Sequence, residues 1–175
     1  VRSEIMFEYQ GSILSQLKRK QIGEPLQALK EVLANIRSLD LLSPEHLRQR
    51  TRDSAGHLGL GGQKLSAYLH EQGSEVRQRL LEKLQHAYPQ LASIDTRSLR
   101  SGWKHLDIAE QFSGKVLSTP ARHVNDGLLR LLAVLSQLAS DEHFLLFDEI
   151  ENGINPELVE FLVDALVESE HQVMV

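Results

Sequence analysis

Two adjacent carboxylates, Asp148 and Glu149, close a run of four large apolar residues, Phe144 to Phe147. Four such residues in succession leave no polar side for water, so the run predicts a short strand buried on both faces. The C-terminal edge of such a strand is where α/β sheets bind their ligands. Two carboxylates at that edge have the chemistry to bind a hard cation and to take up a proton. The same residues also describe a strand that simply ends at the surface, and short patterns of this kind recur by chance. The residues after the acids are more specific. Gly153 permits a tight turn, and Asn155 and Pro156 form a cap and a first-turn proline. Leu158, Val159, Phe161, Leu162, Ala165 and Leu166 then give a helix one apolar face.

The elements that must position these residues are legible around them. Asp126 to Leu138 reads as a helix with leucines on nearly every side, which calls for a sheet on one face and more protein on the other. A strand at 143–148, a helix from Pro156 to about Ser169 and a strand at 171–175 come next, an order that predicts parallel βαβ packing. Before them, Ile94 to Gly102, Trp103 to Glu110 and Lys115 to Thr119 read as hairpin arms, with Ser113 and Gly114 as a turn. The first half reads mainly helical. Leu26, Leu29, Val32, Leu33 and Ile36 repeat at helical spacing, Ser43, Pro44 and Glu45 form a start signal, and Ser74 is placed to cap a helix. In that helix Val76, Leu80, Leu81, Leu84 and Tyr88 share a face ahead of Pro89. The expected organisation is a helical lobe over 1–93 and an α/β subdomain over 94–175.

Composition sets the outer limits. With 175 residues and 41% apolar content the chain can bury one sizeable core. No stretch approaches the ~20 apolar residues of a membrane span, no signal-peptide pattern opens the chain, and there is no cysteine. A cytoplasmic location is the expectation. A net charge of −5 provides no global basic field for nucleic acid, and the local basic runs 18–20 and 48–52 read as solvated faces. The eight histidines never stand at paired ligand spacing, and no Gly-x-Ser-x-Gly elbow occurs. Trp103 reads as core or lid packing.

Asp148 to Pro156 resembles the Walker B and D-loop segment of ABC-type P-loop ATPase heads, in the AAA-domain group related to RecF and SMC proteins. Upstream, Val124, Asn125, Asp126, Gly127 and the helix through Arg130 are similar to that family's signature motif. A glycine lets backbone approach a phosphate, and the following helix offers free N–H groups at its positive end; an ordinary capped core helix would use the same residues. The resemblance implies an α/β fold, the C-terminal part of an ATPase head with a parallel sheet, plus a mainly helical lobe. It implies ATP and Mg²⁺ as ligands, Asp148 as the metal-binding acid and Glu149 as the general base. Asn125, Asp126 and Gly127 would contact the γ-phosphate of ATP held by a second head, a homodimer being the expected assembly; DNA or an effector partner is a further possibility that rests on family analogy.

The chain departs from the pattern in places. Asn125 stands where the family has serine, Leu128 where threonine or glutamine is usual, and Asn155 where histidine is frequent. No Gly-x-x-x-x-Gly-Lys-Ser/Thr phosphate loop occurs: Gly56 to Gly61 has the first spacing, but Gly62 replaces the lysine and Lys64 comes too late. In the family that loop lies N-terminal. The opening Val1 and the apolar alternation at Gln172 to Val175 suggest a piece of a longer polypeptide, which by itself should not hydrolyse ATP. The alternatives are a degenerate, nucleotide-independent scaffold or pairing module, or, on family analogy alone, the head of a DNA-repair or phage-defence effector.

Overall fold

A computed structural model describes residues 12–41, 43–140 and 144–175. The chain divides into two compact units, with the boundary between Ile36 and Arg37.

The first unit contains α1 (Ile13–Gln16), a 3-10 turn (Arg19–Gln21) and α2 (Glu24–Ala34). Ser12 caps α1 by accepting from the Leu14 N–H, and Pro25 sits in the first turn of α2, where its missing donor costs nothing. Lys30 Nζ ties the two helices together by donating to the carbonyls of Ser15 (3.0 Å) and Leu17 (2.7 Å). Within its own unit α2 does not bury Leu26, Leu29, Val32 or Leu33. Ile36, which helical periodicity assigned to the same face, instead opens β1 (Ile36–Asp40).

The second unit is mixed α/β. After β1 come α3 (Pro44–Leu47), the glycine-rich loop, α4 (Leu65–Glu71) and α5 (Gly73–Gln85). Ser74 lies inside α5 and does not cap it; Gln72 occupies the cap position. Three antiparallel strands come next, β2 (Leu91–Ser98), β3 (Lys104–Phe112) and β4 (Lys115–Pro120), in the order β2-β3-β4. Phe112 pairs with Lys115 across a two-residue turn in which Ser113 and Gly114 both have positive φ, the geometry that matches strand twist in a tight hairpin. Trp103, at the mouth of the β2–β3 turn, is 38% exposed. It is therefore not core; the Arg52 guanidinium stands over its ring, 5.2 Å from the centroid.

The remaining elements are α6 (Asp126–Leu138), β5 (Phe144–Asp148), α7 (Pro156–Val167) and β6 (Gln172–Met174). His143, expected in the β5 strand, lies outside the described residues. The second sheet has the order β1-β5-β6, and β5 runs parallel to β6 with Leu145 opposite Val173. The α7 crossover connects the parallel pair, as a βαβ unit requires. Every residue of α6 from Gly127 to Gln137 is buried, which is why its leucines need no polar face. Leu129, Leu131, Leu132, Leu145, Phe147 and Leu162 join Leu39 from β1, and Leu106 and Ile108 from β3, in one core. The expected boundary at 93/94 falls inside β2.

Candidate active site

Asp148 is the last residue of β5 and is exposed, while Leu145 and Phe147 behind it are buried. The alternation of the strand thus ends in a carboxylate at the sheet edge. Glu149, also exposed, takes a positive φ of 46°, a conformation that costs a residue with a Cβ on the order of 1–2 kcal/mol. The backbone must reverse at once to bury Ile150, and this places the strain on the acid. Asn152 Nδ2 donates to Glu149 Oε2 at 3.2 Å. Two backbone bonds close the turn, from Asn152 N–H to the Glu149 carbonyl (3.0 Å) and from Ile154 N–H to the Glu151 carbonyl (3.1 Å). Gly153 supplies the left-handed residue of the turn with φ 72°. Ile150 and Ile154 are buried and anchor the loop, leaving Asp148, Glu149 and Glu151 in solvent. Asn155 then caps α7 by accepting from the Glu157 N–H, with Pro156 as the first helical residue.

The start of α6 packs against this turn. A Cβ built on Gly127 would meet the Gly153 carbonyl oxygen at 3.0 Å and the Ile154 Cα at 3.5 Å. A side chain here would push these two backbones apart by a few tenths of an ångström. Asn125 caps α6, its Oδ1 accepting from the Leu128 N–H at 3.2 Å. Asp126 pairs with Arg48. The same Arg48 donates to the carbonyls of Val124 (2.7 Å) and Arg122 (3.3 Å), which fixes the chain entering the helix. Arg130, one turn into α6, is 3% exposed and lies under Gly153, where an added Cβ would sit 3.4 Å from its Nε. Burial pushes the Arg130 guanidinium down from its ordinary value, and Asp126 and then Asp40 oppose that shift.

The five residues singled out by sequence therefore lie on two neighbouring segments: Asp148 and Glu149 open the turn, and Asn125, Asp126 and Gly127 begin the helix packed on it. Arg48 was missed as part of this region. It was read with the 48–52 run as a solvated face, whereas it is half-buried and bonded to the α6 entry. Nothing in its sequence neighbourhood signals a partner 78 positions away.

A mixed α/β unit with a parallel strand pair joined by a crossover helix fits the P-loop NTPase class of fold. A family model described as "AAA domain, putative AbiEii toxin, Type IV TA system" matches residues 12–173. The chain belongs to this AAA-domain family. No curated protein and no solved structure matches the chain. Family membership implies nucleotide binding, ATPase chemistry in general and usually Mg²⁺. Among the described residues no helix is long and apolar enough to cross a membrane.

Proposed function

We propose that this chain is the Walker B, D-loop and signature part of an ABC-type ATPase head, related to RecF and SMC heads, that pairs with a second head around Mg-ATP. The observation that carries this reading is the seating of Gly127 against the Gly153 carbonyl. That contact couples the segment proposed to read a partner's γ-phosphate to the turn that begins at Asp148 and Glu149.

Magnesium suits the donor set at the β5 end. It is commonly held through one or two carboxylates with substrate phosphates and water completing the octahedron, and Asp148 offers an exposed carboxylate there. When bound, the ion neutralises charge on the phosphates. Asp148 would hold it, and Glu149 would accept the proton of the attacking water. The bond from Asn152 orients the Glu149 carboxylate and leaves its second oxygen available. Asn125, Asp126 and Gly127 would approach the γ-phosphate of the opposite head. There Arg48 neutralises Asp126, whose negative charge would otherwise oppose an incoming phosphate.

One observation favours the second reading, a nucleotide-independent pairing module. The Asn125 oxygen is already engaged in capping its own helix. The test uses the longest native polypeptide containing these residues, with Glu149→Gln, analysed by size exclusion and light scattering with and without Mg-ATP. Doubling of mass on addition of Mg-ATP supports the paired head. A mass indifferent to ATP, with no nucleotide bound, supports the pairing module. DNA or an effector as the object of the cycle remains a proposal on family grounds.

A further inference from the structure

A cavity adjoins the entry to α6 and shares Arg48 with the candidate site. Arg48, Gln49, Arg50, Ser66, His105 and Arg122 line this cavity of about 160 Å³ between the segment after α3, β3 and the turn that leads into α6. Three guanidiniums face it and no carboxylate does. The backbone of the 49–51 segment is held on both sides: Ser66 Oγ donates to the Gln49 carbonyl at 3.2 Å, and Lys104 N–H donates to the Thr51 carbonyl at 2.8 Å. Two acids touch lining residues from outside the cavity: Asp126 pairs with Arg48, and Asp107 engages His105. Asp107 lies 3.1 Å from His105 Nε2 through one oxygen and 3.3 Å from Arg97 Nε through the other. Arg50 makes no ion pair among the described residues, and Arg122 donates its Nε to the ring of His123 at 2.9 Å.

Arg48 is compensated by Asp126, whereas Arg50 and Arg122 stand at the same partly enclosed volume with no carboxylate partner among the described residues, a repulsion that an entering anion relieves. The planar guanidinium fork matches the oxygens of phosphate. The volume is well below the roughly 300–1,000 Å³ of sites that enclose a drug-sized ligand, so it admits a phosphate group and not a base and sugar as well. Burial lowers the pKa of His105 first, Asp107 opposes the shift, and Arg50 and Arg97 add to it. We propose that the cavity lined by Arg48, Arg50 and Arg122 is a binding site for a phosphate group, supplied as free phosphate or as the terminal phosphate of a nucleic-acid strand.

The test is isothermal titration of the full chain with inorganic phosphate at constant ionic strength, followed by a short oligonucleotide with and without a 5′-phosphate. Saturable binding at about 1 mM or tighter is expected, weakened at least tenfold in an Arg50→Gln/Arg122→Gln double variant. Both side chains are exposed, so the double variant should melt with the wild type; each single variant serves if it does not. A tenfold preference for the phosphorylated strand, lost in the variant, assigns the strand end. Equal binding of the two strands, with phosphate itself bound, assigns the free ion. Failure to saturate by about 10 mM phosphate, or a double variant that binds as tightly as the wild type, overturns the proposal.

Discussion

Replacing Gly127 with alanine probes the contact on which the candidate site is built. The new Cβ would stand 3.0 Å from the Gly153 carbonyl oxygen and 3.2 Å from Asn125 Oδ1. Carbon–oxygen contacts are comfortable at about 3.3–3.6 Å, so the shortfall against the carbonyl is a few tenths of an ångström. The carbonyl belongs to a turn anchored by buried Ile150 and Ile154 and cannot swing away as a flexible side chain would. Overpacking of this kind costs about 1–3 kcal/mol. Alanine recovers up to about 1 kcal/mol of helix propensity over glycine, less at the second residue of α6. The balance is a loss of about 1–2 kcal/mol. For a chain of this size that lowers Tm by about 2–8 °C, at 2–4 °C per kcal/mol. Thermal unfolding followed by circular dichroism reads it directly. A variant that melts with the wild type or above it refutes the reasoning, because helix propensity would then outweigh a contact that does not exist in solution.

Further expectations concern the acids and the buried histidine. Glu149→Gln should preserve the fold and nucleotide binding in the intact protein while lowering ATP turnover by ~10²–10⁴-fold; wild-type turnover removes the assigned general base. Glu149→Gly should melt above Glu149→Ala, since both lose the Asn152 bond but only glycine relieves the positive φ. The gap is about 1 kcal/mol, or roughly 2–4 °C, and an alanine variant at least as stable as glycine would show that the backbone is unstrained there. His105 is held below its ordinary value by burial, against the pull of Asp107. The unfolded chain therefore binds the proton first as pH falls below about 6.5, and the folded state loses up to about 1.4 kcal/mol per pH unit on its account. His105→Gln should flatten that part of the stability profile, measured by urea unfolding at pH 5.5 to 7.5 (about one unit either side of the unperturbed histidine value). An unchanged slope would remove His105 as its source.

Local pattern carried the second half of the molecule. The Ser113–Gly114 turn and the all-round leucines of α6 each report a property of neighbouring residues, positive φ and burial on every side; the run ending in Asp148 forms the expected strand but buries only Leu145 and Phe147 fully, with Phe144 and Leu146 half-buried. Periodicity failed at Ile36. The helical pattern of α2 runs straight into it, and what makes Ile36–Asp40 a strand is pairing with β5, more than 100 positions away. The same applies to Ser74. A hydroxyl is a good cap in isolation, but here the helix begins at Gly73, almost directly after α4, and Gln72 takes the cap position.

The sequence by itself determined the local form of the candidate site, because the turn glycine and the two asparagine caps act through their own backbone neighbourhoods. Only the tertiary structure decided what those residues lie against. Gly127 on the Gly153 carbonyl, Arg48 on Asp126 and the joining of Arg48 and Arg50 with Arg122 around one cavity bring together positions 26, 78 and 72 to 74 apart. Such contacts form only after the core has overcome the loop-closure entropy that separates them, and no local spacing records them.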